Sequence, residues 1–299
     1  MKKSNTLLAI TLFAILLPGV SCNNKDKHTS TPSSNLDISG IIEKYYKVSA
    51  VKPDGTFIFE SNLANNDSSI TNTVLAGGLF YDKAGNLEKG GGNVLIGNNL
   101  MTPNSQGSYG FDKTLPQKGL FGTTVSFTLN TPLSHDDKSS NTQPVPVIPP
   151  DGGGGPVITT PPIYSPSAIY ITNVPPSTPL TLTYNTSTTL TWNTDPNNSN
   201  GVVIMADYLP NRYINKDALA AGYATPSQSS MLVSDNGNTT IPWSFFSNLP
   251  PNGHIILWVA RGNYTIASNG NYNYKVGGYS AAAVWDVIIP SSTSTSSPH

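Results

Sequence analysis

From residue 36 to residue 130 the chain alternates apolar and polar positions with a period of two. In "TFIFESNL", Phe57 and Phe59 fall on one side and Thr56, Ile58 and Glu60 on the other, directly after the turn Lys52-Pro53-Asp54-Gly55. "TVLAGGLFYD" leads through Lys83-Ala84-Gly85-Asn86 and a bend at Gly90 to Gly92 into "NVLIG", and "TTVSFTLN" sets Val125, Phe127 and Leu129 against polar neighbours. Segments of this kind, punctuated by turns about every 8 to 12 residues, predict a β-sandwich or barrel. A short helix fits at one place, Ile38 to Tyr45, ahead of the first hairpin.

The pattern resumes from residue 167 to residue 290. "AIYITNV", "LTLTY", "STTLTWNT", "GVVIMADY", "HIILWVARGNYTIA" and "AAAVWDVII" are rich in β-branched and aromatic residues and are separated by Pro, Gly, Asn and Asp. "RYINKDALAAGY", residues 212–223, reads as helical between two of them. Residues 131–166 break the pattern. They hold the run Gly152 to Gly155 and closely spaced prolines, so they predict a linker. The expected fold class is therefore all-β: two β-sandwich-like domains, residues 36–130 and 167–290, followed by a polar tail at residues 291–299.

The start of the chain adds an address. Lys2 and Lys3 precede an apolar run from Thr6 to Leu17, then Pro18-Gly19 and small residues, the layout of a secretory leader that is too short to span a bilayer. "LLPGVSCNN" places the one cysteine of the chain, Cys22, right after the small residues. This stretch resembles the lipobox of bacterial lipoproteins. The resemblance implies cleavage after residue 21, a diacylglycerol on the Cys22 thiol and an acylated new amino terminus, which together make a stable anchor where one chain would not. Residues 22–35 are polar and predict a flexible tether of about 40 Å at full extension. Asn23 in place of an aspartate implies, by the same resemblance, the outer membrane, with the cell surface as the favoured face and the periplasmic face as the other.

Charge narrows the partners. Removing Lys2 and Lys3 with the leader takes the formal charge from −1 to −3, and no basic stripe exists for nucleic acid. Charged residues make up 11 % of the chain against roughly a quarter in an average soluble protein, a neutral polar composition that suits an exported protein. With Cys22 acylated, no disulfide can form within the chain, and the domains must rest on core burial.

The second region carries a further resemblance. "TTLTWNTDPNNSNGVVIMADY" is similar to strands B and C of fibronectin type III and immunoglobulin-like domains, and "LPPNGHIILWVARGN" to their E–F corner and strand F. The resemblance implies a sandwich of about seven strands with Trp192 in its core. The tyrosine usual at that corner is absent, with Ile255 near its place.

Catalytic groupings are scarce. Of the four histidines, His28, His135 and His299 lie in tether, linker and tail, and His254 alone opens a strand. There is no HExxH or GxSxG motif, and the glutamates are only Glu43, Glu60 and Glu88. Asp207 and Asp286 are the least turn-like aspartates and the best carboxylate pair for a glycan hydrolase, the remotest alternative. "DPNNSNG" brings its glycine at the seventh position without a closing glutamate, so it reads as an Asx-rich loop and no metal or cofactor is expected. The favoured ligand site is "GNYTIASNGNYNYKVGGY", with Tyr264, Tyr272, Tyr274 and Tyr279 beside amide groups that recognise sugars or loops. The expectation is a lipid-anchored, non-enzymatic envelope protein binding a glycan or a surface protein. The alternative is a structural accessory of an outer-membrane assembly.

Overall fold

The computed structural model describes residues 38–47, 52–63, 74–81, 87–88, 94–104, 107–111, 119–130, 157–175, 179–269 and 272–291. The leader, Cys22, the tether, residues 131–156, the tail after Ser291 and the turns at residues 83–86 and 90–92 lie outside the described residues. The chain is mostly β, with one large mixed sheet, two small sheets and two short helices among the described residues. Before residue 131 these are α1 (Ile38–Tyr46), β1 (Gly55–Leu63), β2 (Val74–Tyr81), β3 (Leu87–Glu88), β4 (Val94–Ile96), β5 (Asn99–Pro103), β6 (Tyr109–Phe111), β7 (Thr123–Val125) and β8 (Phe127–Asn130). After it come β9 (Val157–Thr159), β10 (Ile163–Ser165), β11 (Leu180–Thr181), β12 (Thr188–Thr191), β13 (Val202–Tyr208), α2 (Lys216–Ala220), β14 (Ser227–Val233), β15 (Asn238–Ile241), β16 (His254–Asn269) and β17 (Tyr272–Ile288).

The large sheet runs β14-β13-β16-β17-β1-β2-β6-β5-β4-β8-β9, with β11 added to β17 and β3 to β2. Its spine is the antiparallel hairpin of β16 and β17, 16 and 17 residues long. On its other side β17 pairs in parallel with β1, from Gly55↔Tyr274 to Leu63↔Ala282, and then with β11. Strands from both sides of the expected linker thus share one ladder. Residues 157–159 and 163–165, placed in the linker by composition, form β9 and β10 on β8 and β7. Their proline neighbours end these strands after three residues.

Side-chain alternation sends each strand's residues to two different cores. On β13, Val202, Ile204, Ala206 and Tyr208 join one cluster with Trp192, Leu249, Leu257 and Val284, while Val203 and Met205 join another with Trp258 and Ala283. Both faces are covered, which is why "VVIMADY" reads as a nearly continuous apolar run. The second face is roofed by α1, whose Ile38 and Ile42 are buried there and whose Tyr45 hydroxyl lies 3.0 Å from Ser230 Oγ. A third cluster, mostly from the first half, gathers Phe57, Phe59, Val125, Phe127 and Leu129, the apolar positions of the period-two pattern, with Phe80 and, from the hairpin, Tyr274 and Val276. Trp192 is buried as expected, its Nε1 donating to Asp235 at 2.9 Å.

Candidate functional site

One end of the sheet concentrates chemistry. There β13 and β17 finish, β14 and β16 begin, and the segments between them, 209–226 and 247–253, fold over the strand ends. Pro226 stands directly before β14 and Pro250-Pro251 shortly before β16, where proline has no N–H to extend a ladder. Between the two segments lies an open cleft of about 430 Å³, lined by residues 222–227 and 247–251. Two backbone positions brace it. Tyr208, buried beneath, donates its hydroxyl to the Tyr223 carbonyl at 2.9 Å, and Ile289 N–H bonds the Gly253 carbonyl at 3.0 Å. Gly253 is required by packing, since a Cβ there would meet the Pro250 carbonyl oxygen at 2.8 Å.

The lining carries no Asp, Glu, His, Lys or Arg. It is built instead from Tyr223, 39 % exposed, the exposed Thr225, Ser247 and Asn248, and apolar Leu249 and prolines. Ser227, which pairs with Tyr208 across the β13–β14 ladder, has its Oγ buried without a hydrogen-bond partner.

Titratable groups gather on the opposite face of the same sheet end. His254 Nδ1 lies 2.6 Å from Asp286 Oδ1, so this histidine has a carboxylate partner rather than standing alone. Asn215 fixes the His254 backbone from both sides, accepting from its N–H at 2.8 Å and donating to its carbonyl at 2.9 Å. A register shift between Ile255 and Leu257 sets Trp285 and Asp286 together opposite Ile256, which turns Asp286 toward His254. Arg212 donates to the Trp285 carbonyl at 2.7 Å, and burial lowers its pKa against the opposing pull of Asp286. Asp207 pairs with Ile256 one strand away and receives Gln228 Nε2. It is 2 % exposed, and burial pushes its carboxyl up to about 6 despite that bond.

The sequence-predicted tyrosines lie elsewhere. Tyr264, Tyr274 and Tyr279 are buried inside the long hairpin, not on an open loop, and alternation divides them between two faces. Tyr274 packs edge-on to Phe80 with ring centroids 5.7 Å apart. Tyr279 donates its hydroxyl to Glu60, whose carboxyl burial pushes up to about 7 against the lowering effect of that bond. Tyr272 alone of the four is half-buried, stacked on Tyr274 at 6.5 Å next to the hairpin turn. The structure therefore does not bring these four rings together into one surface. The spacing Tyr-x-Tyr puts Tyr272 and Tyr274 on one face as expected, but that face is a core.

The Asx-rich loop spends its side chains on its own fold. Asp195 accepts from the Tyr164 hydroxyl at 2.9 Å, the Ser167 N–H at 2.7 Å and the Asn197 N–H at 3.0 Å. Burial alone would raise its pKa, but these bonds and the nearby Arg261 charge hold it below the usual carboxylate range. Arg261 is fully buried and uses all three of its nitrogens, bonding Asp235 at 2.9 Å, Asn193 O, Ala168 O and both oxygens of Ser167. These residues tie loops to the spine of the sheet.

Tyr223, Ser227 and Asn248 were not visible as a group in the sequence, because residues 222–227 and 247–251 meet only through the register of β13, β14 and β16. Comparison with protein-family models finds none that matches the chain, and no curated protein matches it.

Proposed function

We propose that this chain is a lipid-anchored protein of a bacterial outer membrane that holds its ligand without transforming it, in the cleft between residues 222–227 and 247–251. The observation that carries the reading is the lining itself: an open concavity of about 430 Å³ without a carboxylate, histidine, lysine or arginine. The carboxylate pair that a hydrolase needs is poorly placed for it. Asp207 is closed to solvent, and Asp286 is engaged by His254. One buried cluster is drawn wholly from residues after 167 and another mostly from residues before 131, which supports two sandwich-like modules hung on the shared β16–β17 hairpin.

The anchor is tested directly. Metabolic labelling with an alkynyl fatty acid is expected to mark the wild type, and Cys22→Ala is expected to abolish the label and move the protein from the membrane to the soluble fraction. Equal fractionation of the two would remove the anchor from the proposal, and protease shaving of intact cells decides which face it occupies.

An accessory role in an envelope assembly is the second reading, and β14 favours it. This strand ends the large sheet, and its sequence "SQSSMLV" has no charge, proline or bulge of the kind that guards natural edges. A partner strand added there would be retrieved by crosslinking in intact cells.

A further inference from the structure

We infer that the cleft takes an uncharged, hydroxyl-rich ligand, a neutral glycan. The inference rests on the binding reading above and names the ligand class of that same site.

Complementarity decides the class. An anionic ligand needs Arg, Lys or a helix N-terminus, and a cationic one needs carboxylates; the lining offers neither. A purely apolar ligand would leave the exposed Thr225 and Asn248 stripped of water without replacement bonds, a cost that disfavours it. What remains is a molecule that is neutral, has flat apolar patches and carries many hydroxyls. A sugar ring meets all three conditions, with its C–H face on the Tyr223 ring and the prolines and its hydroxyls at the rim.

One detail sharpens the fit. Pro226, Pro250 and Pro251 have no N–H to donate, so the main chain of the lining is poorer in donors than in acceptors. A polyol supplies donors.

The test is calorimetric titration of the full-length acylated protein in detergent with hexasaccharides of glucose, xylose and mannose, and with acidic hexagalacturonate. Binding of at least one neutral hexasaccharide and none of the acidic one is expected. Tyr223→Ala should weaken that binding about tenfold or more, and Tyr223→Phe, which keeps the ring, should restore it. Folding is not at stake in this pair, because it is the Tyr223 backbone carbonyl that Tyr208 holds. The inference is overturned if no neutral hexasaccharide binds the wild type, if Tyr223→Ala binds as tightly, or if the acidic sugar is preferred. Chromatography of the titrated sugar separates the two claims: cleaved product would sink the non-catalytic reading and leave the ligand class standing, whereas intact sugar with Tyr223-independent binding sinks only the inference.

Discussion

Glu60 shows how one side chain ties the fold to acidity. It sits on β1 directly across from Tyr279 on β17, 3 % exposed, with a carboxyl displaced by burial from its ordinary value of 4.5 to about 7. The folded protein therefore holds a proton that the unfolded chain releases, and the resulting stabilisation is complete below pH 4.5 and is lost as pH rises through 7. A displacement of this size corresponds to at most about 3–4 kcal/mol. Asp207 acts in the same direction over the lower window from 3.8 to about 6. Denaturant titrations between pH 4.5 and pH 8 should show stability falling with pH, and Glu60→Gln should flatten most of that slope. A slope unchanged in Glu60→Gln would mean that the buried carboxyl does not titrate in this window.

Elements are held together by matched glycines and rings. In the β1–β2 register Phe57 faces Gly78, and in the β1–β17 register Phe59 faces Gly278; a Cβ on either glycine would overlap the facing ring. Gly-Gly in "VLAGGLFY" and "YKVGGYS" thus makes room for aromatic side chains of the central strand, although glycine by itself weakens a strand. Gly278→Ala is expected to cost about 1–3 kcal/mol in urea unfolding through this overlap; no change would show that the Phe59 ring has an alternative seat. Much of this level was legible locally. The alternation in β1 and β8 assigned Phe57, Phe59, Phe127 and Leu129 to one face, the helix at Ile38 is present, and the short helix α2 lies within residues 212–223. Pairing partners were not legible, because a strand's period states which face is apolar and says nothing of the strand beside it. The tyrosine stretch misled for the same reason. Its spacing is equally that of a surface and of a core, and only the long register of β16 with β17 places Tyr274 and Tyr279 inside. The cleft was hidden more deeply still, since its walls come from two turns whose prolines mark where strands stop and not what the turns enclose.

At the scale of the whole molecule, the β16–β17 hairpin crosses from one half to the other and carries β1 along nine consecutive residue pairs. Cutting the chain within residues 131–156 should therefore leave both fragments together. A protease site inserted there and cleaved under native conditions is expected to yield two bands on a denaturing gel but one peak in size exclusion. Separate peaks would mean that the shared ladder is too weak to join the halves. The parallel seam also imposes an order in time. β1 leaves the ribosome roughly 200 residues before β17, a delay of about 10–40 s at ordinary rates of synthesis. During that interval the early strands have one side without its mate, so the nascent chain carries an unpaired β1 edge until β17 has been made.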